Sequence, residues 1–166
     1  MFELKPLSRE AVPAALEKAY RYRLLNEPLE AESICRDILE VDPDNQEATV
    51  TLLLALSDQL EERQNPCFEQ AREMLFRIQD EYSRTYHHGI LCERRAKSHL
   101  QRGGHHAGHM AYDWFRQAMD HYEKAAGIRP ASNDDAILRW NTCARILMTT
   151  PGLVPEPEEA FRTWLE

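Results

Sequence analysis

All seven histidines of this 166-residue chain lie between positions 87 and 121. With the four cysteines, they are the side chains best suited to bind a metal or attack a substrate. His105, His106 and His109 sit in the run GGHHAGHM. A helix beginning near Ala107 would put His109 and Asp113 at i and i+4 on one face. That spacing offers two ligands to zinc or another divalent ion, with His105 or His106 as the third. Against it stands the flexibility that Gly103, Gly104 and Gly108 lend the loop, while a structural site wants four well-placed ligands. The plainer reading is a mobile polar loop. Cys92 with His88 at i, i+4 is a nominal nucleophile and base, but no third group is evident to orient the base. There is no GxSxG, no HExxH and no phosphate-cradling glycine loop. The adjacent carboxylates Glu61-Glu62, Asp134-Asp135 and Glu158-Glu159 point in different directions on a helix, so they are not acid–base partners. No enzyme and no cofactor are expected, with a metal-binding protein or metal-dependent enzyme as the alternative.

Charge is unevenly distributed. The net −8 of the whole chain averages residues 1–83, with 9 basic and 18 acidic side chains, and residues 84–166, with 11 and 10. Within 84–109, Arg84, Arg94, Arg95, Lys97 and Arg102 face only Glu93, and six of the seven histidines fall there. This stretch reads either as a docking patch for an acidic peptide, a terminal carboxylate or a phosphate, or as a solvated face turned toward the acidic first half. The acidic total and the lack of interleaved aromatics in the basic stretch argue against nucleic acid. No apolar run approaches membrane-spanning or signal-peptide length. The cysteines, 32, 25 and 51 residues apart, form no disulfide framework and read as reduced, buried thiols. A cytoplasmic setting is therefore expected.

The elements that position these residues read as helices. Ala31, Ile34, Cys35, Ile38 and Leu39 recur at i, i+3, i+4, i+7 and i+8, one apolar helical stripe. Pro43 ends it, and Asp44 or Asn45 can cap the next helix. Before it, Leu16, Ala19, Tyr20 and Arg23 mark a first helix, with Asn26 suited to a left-handed turn and Pro28 to the first position of the second helix. The pattern predicts helices over 9–25, 28–41, 46–61, 66–82, 86–101, 110–127, 132–148 and 156–165, the last as a C-terminal cap. The second half of the unit recurs in register: Ala31, Cys35, Ile38 and Pro43 have the spacing of Ala71, Leu75, Ile78 and Ser83, and of Ala118, Tyr122, Ala125 and Pro130. A small residue with a bulky one a turn later is what closely stacked helices need.

On these residues the chain resembles the tetratricopeptide repeat (TPR) family, whose unit pairs two helices with small, bulky and proline positions in this order. The resemblance implies an all-α fold: a TPR-like, right-handed solenoid of antiparallel helical hairpins. It spans residues 1–166 as one domain, with repeats at roughly 14–47, 48–86 and 87–133, a half repeat at 134–148 and the cap at 156–165. The copies are spaced more widely than in the family, so extended loops are expected at 62–67 and 101–109. Ala19 sits at the family's small position, where counting puts Leu53, Glu93 and Trp140 in later units. A buried Glu93 is not expected, which implies a slipped register or a splayed hairpin.

The resemblance further implies that the first helices of successive hairpins line a concave groove for a peptide. Its candidate residues are Lys18, Tyr22, Thr49, Leu52, Leu56, Cys92, Arg95, His99, Arg139 and Cys143, with plain core packing the alternative for Leu52 and Leu56. Of the family's carboxylate clamp only Lys18 and Arg139 have counterparts. The expected function is non-enzymatic binding of a protein or peptide segment, with Lys18, Arg94, Arg95 and Arg139 selecting an acidic one. A self-associating homodimer is the further alternative.

Overall fold

The computed structural model of the chain describes residues 1–157, and among these it is all-helical. A short 3-10 turn at Arg9–Ala11 leads into α1 (Val12–Leu24), followed by α2 (Pro28–Val41), α3 (Gln46–Ser57) and α4 (Leu60–Arg77). Then come α5 (Glu81–Arg102), α6 (Ala107–Ile128) and α7 (Asp135–Thr149). The expected cap at 156–165 falls almost wholly outside the described residues.

Local chemistry sets most boundaries. Asn26 takes the left-handed conformation at φ 59° and Pro28 opens α2, as the turn reading requires. The Asn45 side chain accepts from the Ala48 amide at 2.9 Å and starts α3. Asp80 does the same for the Ser83 amide at 2.7 Å and starts α5 several residues before the predicted position.

Two extended loops do not form where the sequence placed them. The break expected at 62–67 lies instead at Asp58 and Gln59, and α4 runs through Pro66. Proline removes the amide that would bond the Glu62 carbonyl. Residues Glu61, Glu62 and Arg63 are exposed, so water can satisfy it and the helix continues. The true break is held by the buried Gln59, whose amide donates to Glu32 Oε2 at 2.7 Å and to the Ala55 carbonyl at 3.1 Å. The second loop shrinks to 103–106, because α5 and α6 extend into the stretch predicted as loop until Gly103 and Gly104, both at positive φ, turn the chain.

Links of two to six residues return each helix alongside the last, so contacts are made mainly between chain neighbours. The odd-numbered helices also touch in succession, α1 with α3 and α3 with α5. The repeated small positions lie inside the packed helices: Ala19, Ala31, Ala71 and Ala118 are all fully buried, as are Cys35, Ile38 and Tyr122, with Leu75 and Ile78 nearly so. Burying each larger apolar side chain contributes about 1.5–3 kcal/mol. In the α5–α6 hairpin the close approach is at Gly89, where an added Cβ would lie 2.6 Å from the Tyr122 ring. The longer helices move the small position up α5, away from residue 93, with no splaying of the hairpin. All four cysteines are free and buried.

Candidate functional site

Glu93 is buried, contrary to the sequence expectation, at 1% side-chain exposure. An unpaired carboxylate there would cost many kcal/mol, so its partners explain its presence. The Tyr122 hydroxyl donates to Oε2 at 2.6 Å from α6, Lys97 Nζ donates to Oε1 at 2.5 Å one turn along α5, and Arg139 Nη1 from α7 lies 3.3 Å from both oxygens. Burial by itself would raise the Glu93 carboxyl. The hydrogen bonds from Lys97 and Tyr122, with the charges of Lys97 and Arg139, outweigh it and hold the group below the ordinary glutamate value. Tyr122 is pushed up, first by burial and then by the adjacent Glu93 charge.

Next to this centre, Asp58 at the end of α3 is shared by two arginines. Arg23 of α1 reaches its Oδ2 at 2.8 Å and Arg94 of α5 pairs with Oδ1. The two clusters meet in a cleft of about 190 Å³ lined by Ser57, Asp58, Leu60, Glu61, Glu93, Arg94, Lys97 and Arg139. Arg94 is held down to about 10, mainly by burial and then by the like charges of Arg23 and Arg139. Four cations, Arg23, Arg94, Lys97 and Arg139, thus surround two inward carboxylates, and the exposed Glu61 stands on the rim. Helices α1, α3, α5 and α7 each supply part of this face. They are the first helices of the three hairpins, and the half repeat, read from the sequence.

Many of the expected groove residues lie elsewhere. Thr49, Leu52, Leu56, Cys92 and Cys143 are buried in the core and present no surface to a ligand. α3 and α5 are packed on more than one side, and α3 is apolar nearly all round. His99 is also buried, with Nε2 unpaired. Arg95, one residue past Arg94, points toward α4, stacking 4.8 Å over Phe68 and donating to Asn65 at 2.7 Å. Lys18 and Tyr22 are exposed on α1, and Lys18 lines a shallow apolar depression against Ile34 and Asp37 of α2. Only Arg139 among the ten joins the cleft. The basic stretch at 84–109 is not one patch, because Arg94 and Lys97 line the cleft whereas Arg95 turns toward α4, and Arg94 meets Asp58 of the acidic half within the same chain. Sequence reasoning missed Arg23, Asp58 and Tyr122 as site residues, and named Lys97 only as part of the basic stretch. The i, i+4 spacing of Glu93 and Lys97 was the one local signal available.

The loop histidines do not assemble a metal site with Asp113. The rings of His105 and His106 are 4.9 Å apart and nearly perpendicular, and His109 Nδ1 is engaged with the Val154 carbonyl at 2.9 Å. His105, His106 and Asp113 are exposed. The donors that do converge among the described residues are His88, Cys92 and His121, each within 4.8 Å of the others. Burial, followed by the charge of His121, pushes His88 down to about 4, and burial with Lys124 lowers His121. Burial pushes the Cys92 thiol up to about 12.

No protein-family model matches the chain, and none of the curated proteins or solved structures compared with it does either. Among the described residues, no helix is long and apolar enough to cross a membrane.

Proposed function

We propose that the chain is a TPR-like, right-handed solenoid of about three and a half helical hairpins that acts as a non-enzymatic scaffold for protein binding. On this reading, the face shared by α1, α3, α5 and α7 receives an acidic peptide segment. The repeat assignment draws on the buried alanines, which recur in register, and on the neighbour-to-neighbour packing. The observation that carries the binding assignment is Arg94, a largely buried guanidinium crowded by Arg23 and Arg139 while sharing its carboxylate, Asp58, with Arg23. A cation so placed gains from a further anion, and a side-chain or terminal carboxylate is the planar acceptor that suits guanidinium groups. Lys97 and Arg139, part-exposed on the same cleft, would provide the attraction that raises the association rate at low salt.

The test is fluorescence anisotropy with a dye-labelled peptide that alternates glutamate and leucine, against its glutamine counterpart, at low and high salt. The acidic peptide is expected to bind at least about 10-fold more tightly, with a preference that shrinks as salt rises. Arg94→Gln and Lys97→Gln should each remove most of that preference. Equal binding of both peptides, or a preference untouched by both substitutions, would overturn the assignment.

A further inference from the structure

The basic cleft uses one side of α5, whereas the α5–α6 seam presents different chemistry. His88 and Cys92 stand one helical turn apart on α5, and His121 comes across from α6 beside them. The His88 and His121 rings stack with centroids 3.8 Å apart, and the two are half-buried, while Cys92 is fully buried beneath them. Two imidazoles facing solvent over a thiol are open to an ion arriving from outside.

We propose that His88, Cys92 and His121 form a binding site for a single thiophilic transition-metal ion of the zinc class, with one coordination position left open. Metal–nitrogen bonds of about 2.0–2.1 Å and a metal–sulfur bond of about 2.3 Å hold tetrahedral donors roughly 3.3–3.6 Å apart. The three donors already lie within 4.8 Å of one another, so side-chain rotations that draw them in by up to about 1.5 Å complete the geometry with the helices unmoved. The helices are well fixed, because the Gly89–Tyr122 contact locks α5 against α6 next to His88 and His121. Two nitrogens and a sulfur select borderline and soft ions over magnesium and calcium, which take oxygen ligands. Neither ring is hydrogen-bonded to another described residue, so each has a nitrogen lone pair to offer. No fourth histidine, cysteine or carboxylate joins the group among the described residues, which leaves the last position to water or an anion. Arg72 and Lys124 act electrostatically on His88, and Lys124 on His121, and they favour an anion there. This site is separate from the loop histidines, which the fold keeps apart.

The experiment is a titration of the untagged full chain with Co²⁺, followed by displacement with Zn²⁺. One equivalent of cobalt is expected to give a thiolate-to-metal charge-transfer band with intense four-coordinate ligand-field bands, both erased by one equivalent of zinc. Cys92→Ser should abolish the charge-transfer band. His121→Gln, a change at a half-buried side chain, should weaken cobalt binding by more than about 100-fold, beyond the 10–100-fold typical of removing a group behind a ligand. A variant with His105, His106 and His109 all changed to alanine should bind as the parent does. A parent chain that gives no charge-transfer band, a band that survives Cys92→Ser, full affinity in His121→Gln, or loss of binding in the triple-alanine variant would each overturn the proposal.

Discussion

Replacing Glu93 with glutamine tests the polar centre of the fold most directly. The substitution conserves volume and removes the charge that Tyr122, Lys97 and Arg139 address. A hydrogen bond to a charged acceptor contributes about 1.5–3 kcal/mol against about 1 for a neutral one, so the Tyr122 bond loses about 1 kcal/mol. Removing one member of a fully buried ion pair costs about 3–5 kcal/mol. Here Arg139 and Lys97 keep 35% and 46% side-chain exposure, and screening by water reduces their share to about 1–2 kcal/mol. Glu93→Gln should therefore destabilise the chain by about 2–3 kcal/mol near neutral pH, roughly 4–12 °C in Tm at this size.

The pH dependence adds a signature that a packing defect would not show. The folded-state pKa of Glu93 is depressed, so its stabilisation is complete above the unfolded glutamate value of about 4.3 and is lost as pH falls through the folded value. The variant has no proton to take up at this position, so the gap between parent and variant should narrow below about pH 4.3. Glu32, also depressed, is present in both chains and cancels in the difference. Urea denaturation followed by far-ultraviolet circular dichroism, repeated from neutral to acid pH, measures this gap. A variant as stable as the parent at neutral pH would refute the reasoning, and so would a gap that stays constant into acid.

Two further substitutions separate local propensity from packing. Gly89→Ala should gain about 0.8–1 kcal/mol of helix propensity, yet its Cβ meets the buried Tyr122 ring at 2.6 Å, and overpacking costs about 1–3 kcal/mol. A net loss of stability and a shifted Tyr122 environment in near-ultraviolet circular dichroism are expected, and a more stable variant would show that the close approach is absent. Pro66→Ala, by contrast, should raise Tm, because it restores the amide that the Glu62 carbonyl lacks inside α4. A lower Tm would mean that the helix does not run through this position.

Much of the helical framework was legible along the chain because its determinants are local. The 3.6-residue period of Ala31, Cys35 and Ile38 predicts α2, and the conformational preferences of Asn26 and Pro28 set its start. Asn45 was one of two named caps for α3 and is the one used. The loop expected at 62–67 rested on the repeat spacing; α4 instead runs through Pro66, because a proline's cost depends on whether water reaches the carbonyl it strands, and exposure is a property of the assembled surface.

The tertiary structure decided what faces what. Glu93 looked incompatible with burial, since burial of a lone carboxylate is prohibitive, but only Lys97 among its three donors is local, and the other two come from residues 29 and 46 positions away. Likewise, Arg94 and Arg95 are neighbours in a basic run, and a rotation of about 100° between successive helical residues sends one to Asp58 and the other to Phe68. His88 and Cys92 were visible as an i, i+4 pair, but the third donor, His121, is supplied only when α6 packs against α5. By itself, the sequence determined most of the helices and the small-residue register of α2, α4 and α6. Which polar groups converge was decided by packing, because burial and long-range pairing exist only once the helices have met.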